Sequence, residues 1–270
     1  MQTNLPTLFT QGGFPNALIR SALFSVKNLG DTRTHKANYK VAAQGQYEVK
    51  YTGEELNQMD AQVLYVAFVL QRESGLDIGS PITVNQTDFV NKLGRQINGE
   101  ACKRASESLK RIAESSMTIV HGNRRFTSHV INDFGVDDNR HFTYTLNPNL
   151  GRLFEEDCTL LKLSNLTQLN MLLAKWLYNY FSSHSVFFAR YHYEKLREMS
   201  GSVLTPGEFK RQLKLACDQI ITTLGDKAPF VEYSLEKDGL HIAKTKRLAR
   251  LKTSKAIASS QGDKEFDPFA

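Results

Sequence analysis

The chain has 270 residues, enough for one large domain or two modest ones at roughly 150 residues per domain. With 41% hydrophobic and 23% charged residues it is too apolar for a disordered chain. Its longest apolar stretches, residues 63–70 and 172–180, fall well short of the ~20 residues that span a bilayer. Lys and Arg number 34 against 28 Asp and Glu, and the net charge of +6 leans toward a polyanionic partner. Met1-Gln-Thr-Asn4 lacks the basic start and continuous apolar core of a secretory signal, so a cytoplasmic protein is expected. Cys102, Cys158 and Cys217 are odd in number and widely spaced, which suits reduced thiols better than a disulfide framework or a zinc site.

Residues 1–13 read as a flexible terminus. Residues 18–29 suit a short strand or a short helix, and 47–51 alternate like a strand. Thr52 reads as the N-cap, with Glu55 completing a capping box, of a helix bearing Leu56, Met59, Val63, Val66, Ala67 and Leu70 on one face. Ser74-Gly75 ends it. A short strand over 82–84 and a short helix over 87–93, closed by Gly94, come next. From Asn98 or Gly99 to about Ser116 the apolar positions Ala101, Ala105, Leu109, Ile112 and Ala113 mark another helix. Residues 117–120 and 126–131 then flank His121 to Arg125 as a hairpin, with 142–146 as a third strand.

Helix, strand, helix, helix, hairpin is the order of a winged helix-turn-helix domain, and it recurs. A long helix is expected over 163–183, with Leu166, Leu169, Leu173, Trp176, Leu177 and Tyr180 on its apolar side. A strand over 185–190 and a short helix over 193–199 follow. Thr205-Pro206 and Glu208 open a helix that runs to Leu224, with Phe209, Leu213, Ala216, Cys217, Ile220 and Leu224 inward. Residues 231–235 and 240–243 close the unit as a hairpin around Asp238-Gly239. The expected fold class is therefore α+β, two tandem winged-helix domains over residues 14–150 and 151–250, with a tail over 251–270.

Enzymatic readings find little support. No segment supplies the Gly-x4-Gly-Lys-Ser/Thr phosphate cradle, and no two histidines flank a single hydrophobic residue to hold a nicking metal. Tyr191 or Tyr193 beside His192 is the one nickase candidate, and a packing cluster at a helix start suits those residues better. Asp137-Asp138 reads as a solvated turn, and Trp176, Tyr178, Tyr180 and Phe181 as core. No metal or cofactor is expected. What remains is the outward face of the third helix in each unit, the position from which a recognition helix enters the major groove. In the first this face carries Lys103, Arg104, Ser106, Lys110 and Arg111, and in the second Lys210, Arg211, Gln212 and Lys214. Arg is able to read guanine bidentately and Gln to read adenine. Asn123, Arg124 and Arg125 in the first hairpin, and Lys237, Lys244, Lys246 and Arg247 in and after the second, suit phosphate contacts. A solvated face is the competing reading for each helix alone.

The blocks Pro15-Asn-Ala-Leu-Ile-Arg-Ser-Ala-Leu-Phe24, Tyr51-Thr-Gly-Glu-Glu-Leu-Asn-Gln-Met-Asp60, Leu146-Asn-Pro-Asn-Leu150 with Leu153-Phe154, and Trp176-Leu-Tyr-Asn-Tyr-Phe-Ser-Ser-His184 resemble the TrfA family of plasmid replication initiators. The resemblance implies tandem winged helices that bind direct repeats (iterons) of double-stranded DNA at a plasmid origin and help open adjacent AT-rich DNA. It also implies recruitment of host DnaA, the replicative helicase and the polymerase clamp, and no enzymatic activity. Such initiators bind DNA as monomers and form dimers that restrain copy number, usually through the first winged helix. Leu5-Pro-Thr-Leu-Phe9 keeps the apolar end of the family's clamp-binding peptide without its glutamine. The alternative within the same fold is a transcriptional repressor, possibly of its own gene, without initiator activity.

Overall fold

The computed structural model describes residues 9, 12–28, 32–45, 47–154, 157–186 and 188–244. Strand β1 (Gly13–Pro15) leads into one helical turn, α1 (Asn16–Ile19), and the short strand β2 (Phe24–Ser25). Two longer strands follow, β3 (His35–Val41) and β4 (Tyr47–Glu54). In β4 the residues Val49, Tyr51 and Gly53 are buried while Lys50 and Thr52 between them are less so, the period-2 pattern of a half-covered sheet. That alternation runs straight through Thr52, whose hydroxyl accepts from the Asn38 N–H at 2.9 Å. The expected capping box at Thr52 and Glu55 is therefore replaced by one at Asn57, in β5 (Leu56–Asn57). The Asn57 side chain accepts from the Met59 N–H at 3.0 Å, and Asp60 accepts from the Asn57 N–H at 2.9 Å. Helix α2 (Gln58–Ser74) then ends at Gly75, whose φ of 68° lies in the left-handed region.

Next come β6 (Pro81–Asn85), α3 (Gln86–Lys92) and α4 (Gly99–Ala113), the last capped by Asn98. Strands β7 (Ser116–His121) and β8 (Arg124–Ser128) form the hairpin expected there, but this hairpin is not the wing. It extends β3 and β4 into a four-stranded sheet in the order β3-β4-β7-β8. The wing is β9 (Ile131–Val136) with β10 (His141–Leu146), in a sheet of order β6-β10-β9. Val130 and Ile131 explain the division. Both are fully buried, and consecutive residues of one strand face opposite sides, so the strand read over 126–131 breaks there and a new one begins.

The chain continues through a 3₁₀ turn at Pro148–Leu150, α5 (Gly151–Phe154), β11 (Cys158–Leu160), α6 (Leu163–Leu166) and α7 (Leu172–Ser182). The single helix expected over 163–183 is thus split. Gln219 Oε1, from a later helix, accepts from the backbone N–H groups of Asn170 at 3.2 Å and Met171 at 3.1 Å, doing the work of the N-cap side chain that Met171 lacks. β12 (Phe188–His192), α8 (Tyr193–Met199), α9 (Pro206–Leu224), β13 (Glu232–Leu235) and β14 (Gly239–Ala243) complete the fold. Sheet order β12-β14-β13 repeats β6-β10-β9, and α7, α8 and α9 repeat α2, α3 and α4, so the chain contains two tandem winged helices.

The two units share a seam. β1, early in the chain, pairs antiparallel with β11, and Phe9, assigned from sequence to a flexible terminus, is buried with its ring 4.9 Å from Phe154 and 6.3 Å from Phe68. As the last residue of Leu5–Phe9 it therefore occupies the core. Across the seam Lys175 of α7 donates to Gln62 Oε1 at 2.8 Å and to the Leu166 carbonyl at 2.9 Å, and burial pulls its pKa down to about 8. The C-terminal carbonyls of α7 are capped by cations from both ends of the chain. Arg20 donates to Ser183 O, and Lys244 donates to His184 O and, at 2.6 Å, to Phe181 O. Lys244, expected from sequence at a DNA surface, is thereby consumed by a structural cap.

Asp60 is 1% exposed and collects Arg33 Nη1 at 2.9 Å, Arg111 Nη1 at 2.6 Å and Ser108 Oγ at 2.6 Å besides the Asn57 N–H. Arg111, expected on the outward face of α4, is instead 13% exposed and turned into this network. Asp60→Ala would leave the nearly buried Arg33 guanidinium without its carboxylate and Arg111 with Glu54 alone, 3.2 Å from its Nε, and a loss of about 3–5 kcal/mol is expected in urea denaturation.

His184 is buried beside Arg20 and Lys244, and burial with those cations lowers its pKa from 6.5 to about 4. Its Nδ1–H donates to Tyr180 O at 2.7 Å, and rotation of the Gln44 amide, 2.9 Å from Nε2, presents an N–H to a neutral ring. The unfolded chain protonates this histidine near pH 6.5 and the folded chain only near pH 4, so stability falls as pH drops through that window, by about 3 kcal/mol in all. The Tm difference between pH 7 and pH 4.5 is expected to shrink in His184→Gln.

Candidate nucleic-acid interface

On α4 the buried stripe is Ala101, Ala105, Ser108, Leu109 and Ile112, which leaves Lys103, Ser106 and Lys110 on the opposite side and Arg104 on its shoulder. Each exposed cation has an acid one turn away: Lys103 to Glu107 at 3.9 Å, Arg104 to Glu100 at 2.7 Å, and Lys110 to Glu114 at 3.7 Å. Both partners of every pair are more than half exposed, so each pair contributes about 0.5 kcal/mol or less. A phosphate is able to displace such an acid at little cost.

Helix α9 opens as expected, with Thr205 accepting from the Glu208 N–H at 3.4 Å and Pro206 at the first position. Arg211 holds Glu208 in a two-pronged pair at 2.6 and 2.9 Å, and Gln212 donates to the same carboxylate at 3.0 Å. These bonds, Arg211 first and Gln212 second, hold the Glu208 pKa down to about 2. Lys214 pairs with Asp218 at 2.7 Å, and Tyr233 of β13 donates to that same carboxylate at 2.5 Å. Lys210 stands apart. Its Nζ lies 4.9 Å from the centroid of the Tyr193 ring and donates to Glu236 O at 3.1 Å, so it ties α9 to α8 and to the second wing.

The wings differ from the basic loops expected. Asn123 and Arg125, with the backbone of Arg124, belong to the β7–β8 hairpin of the four-stranded sheet and not to a wing. Arg125 is exposed there. The first wing turns at Asp137 to Arg140, closed by Asp137 accepting from the His141 N–H at 2.8 Å, with Arg140 at a φ of 61°. Its tip carries two carboxylates and one guanidinium. The second wing turns through Glu236, Lys237 and Asp238, where Lys237 is exposed and Asp238 pairs with Arg190 at 2.5 Å. Lys246 and Arg247 lie outside the described residues.

The nickase candidates both have partners within the second unit. Tyr191 is 1% exposed, 5.0 Å from the Phe181 ring, and burial pushes its hydroxyl pKa up, while Tyr193 donates to Glu236 O at 2.8 Å. Among the described residues the three cysteines form no disulfide, and burial pushes the Cys158 thiol up to about 12. Also among the described residues, no group of three or more His, Cys, Asp or Glu is placed to hold a metal, and no helix is long and apolar enough to cross a membrane. Sequence reasoning missed the true first wing, although Asp137-Asp138-Asn139-Arg140 between the alternating runs 131–136 and 141–146 was a readable hairpin signal. It also passed over Glu107 and Leu215, the acid and the apolar residue on the outward faces of the two helices.

In fold, the chain is similar to two crystal structures of domains 2 and 3 of RctB. One has a TM-score of 0.59 at 13% identity and covers 88% of this chain and 98% of that one. The other has a TM-score of 0.58 at 15% identity and covers 87% and 99%. In sequence it is 34% identical over 110 residues to the plasmid replication initiator protein TrfA of Escherichia coli, a match spanning 40% of this chain and 28% of that protein. The family model for the TrfA protein matches residues 5–242, most of the chain, which therefore belongs to the TrfA family of plasmid replication initiators.

Proposed function

We propose that the chain initiates plasmid replication in the bacterial cytoplasm by binding iteron direct repeats of double-stranded DNA at an origin. Binding helps open the adjacent AT-rich DNA and brings in host DnaA, the replicative helicase and the polymerase clamp. On DNA the chain acts as a monomer, with dimers restraining initiation. The observation that carries this reading is the repetition itself: two helices in the same architectural slot, each with an exposed, cation-bearing outward face. Lys103 to Lys110 covers about 10 Å of helix axis at ~1.5 Å per residue, close to the ~12 Å width of the major groove. Two such helices suit two successive grooves about 10 base pairs apart.

The ion pairs suggest the order of events. Lys103, Lys110 and Lys214 exchange their exposed carboxylates for phosphates, releasing counterions and making affinity fall steeply with salt. Arg211 and Gln212 turn from Glu208 to base edges, where the fork of Arg211 matches guanine and the amide of Gln212 matches adenine. The energy for melting comes from binding and from deformation of the DNA.

Selection of bound fragments from random double-stranded DNA at ~150 mM salt tests the reading. One long motif spanning about two helical turns and matching direct repeats in a plasmid origin is expected, and an origin carrying those repeats should replicate when the chain is supplied in trans. Enrichment of no sequence, with binding that vanishes as salt rises, would overturn it. Arg211→Ala is expected to cost about 1–3 kcal/mol and relax specificity at one position. Replacing Lys103 and Lys110 by alanine is expected to flatten the log–log salt slope by about 0.9 per lost phosphate while leaving the preferred sequence intact. Lys210→Ala is expected to lower Tm, because it removes the tie from α9 to the Tyr193 ring and to Glu236 O.

A further inference from the structure

The buried stripe of α9 runs through Phe209, Leu213, Ala216, Cys217, Ile220 and Leu224. At 3.6 residues per turn the opposite side carries Gly207, Arg211 and Leu215, each one turn after the last. Leu215 is 42% exposed amid charged neighbours, with the side chains of Arg211 and Lys214 each 60% exposed and that of Asp218 43%. An exposed leucine is commonplace in itself. This one is set apart by its place, because the core closes on the far side of the helix and the surrounding ion pairs have no use for an alkyl group. The matching face of α4 carries Lys103, Ser106, Glu107 and Lys110 and nothing apolar.

We propose that Leu215 is a specificity-determining residue that packs against the 5-methyl group of a thymine in the major groove. The inference rests on the DNA-binding reading above. Thymine is the base that offers a methyl group in that groove, and an alkyl side chain distinguishes it by apolar contact. Gly207 adds no side chain that would hold the start of the helix away from the groove floor, and the space where its Cβ would stand is open. Arg211 precedes Leu215 by one turn, about 6 Å of axis, which is close to two base-pair steps of ~3.4 Å. The guanine read by Arg211 and the thymine covered by Leu215 therefore lie about two steps apart in the half of the site bound by α9.

The test uses the full chain and the site it selects. Each thymine is replaced in turn by deoxyuridine, which removes the methyl group alone, and Kd is measured for the unaltered chain and for Leu215→Ala. One replacement, about two steps from the position relaxed by Arg211→Ala, is expected to weaken the unaltered chain about fourfold, the worth of one buried methyl group at ~0.8 kcal/mol. Leu215→Ala is expected to bind the unmodified site more weakly by at least that factor and to ignore the same replacement, while Leu215→Met, which keeps an apolar tip, retains the sensitivity. Equal losses in the unaltered chain and Leu215→Ala at every thymine would overturn the inference, as would a selected site without thymine in the half bound by α9. Either result leaves sequence-specific binding standing. A chain that selects no sequence at all overturns both readings.

Discussion

Asp60 is the point on which the first winged helix turns. A carboxylate removed from water must have its lone pairs satisfied, and here four donors from three stretches of chain converge on it. One consequence is local: the start of α2 is fixed. The other is architectural, because Ser108 and Arg111 belong to α4, so the same carboxylate sets how α4 lies on α2. Arg111 turns in toward Asp60, while Lys103 and Lys110 stand on the side of α4 opposite its buried stripe. In the second unit the corresponding task falls to an apolar stripe, to Lys210 beneath the wing, and to Gln219, which joins α9 to the start of α7.

The seam between the units is polar as well as apolar. Lys175 reaches across it to Gln62, and Arg20 and Lys244 close the end of α7 from opposite ends of the chain. Gly94 sits so near Thr167 that an added Cβ would stand 2.6 Å from the threonine Cβ, so the turn before α4 rests directly on the segment between α6 and α7. Directional bonds and close backbone contact resist sliding better than a smooth apolar face does. If the chain engages two grooves as proposed, a fixed seam spares the entropy of ordering the units on DNA.

What was legible in the sequence follows a simple division. α9 was read correctly from Thr205 to Leu224, with all six inward residues, because N-cap, proline, first-turn acid and 3.6-residue periodicity are local signals. The order of elements that identifies winged helices was legible for the same reason. Thr52 misled because Thr-x-x-Glu is a capping pattern only where the backbone is free to turn, and here it continues a paired strand. The first wing was misplaced because alternation identifies a strand without naming its sheet: β7 answers to β4, more than sixty residues earlier, while β9 answers to β10. The internal contacts of Arg111 and Lys244 were not legible because their partners, Asp60 and the end of α7, are remote in sequence.

The pairing of β1 with β11 bears on how the chain is made. A ribosome delivers residues in order, and β1 emerges long before Cys158–Leu160 exists to receive it. Phe9 must wait through the synthesis of the whole first winged helix for Phe154, and Arg20 longer still, for Ser183. The second unit has the opposite history, since its sheet and three principal helices are contiguous from Leu172 to Ala243 and close mainly over short loops. The segment around β1 therefore completes its contacts only after β11 and α7 have been made. Through that interval β1 lacks its partner strand and Phe9 lacks Phe154, a natural opening for a chaperone that binds extended apolar segments.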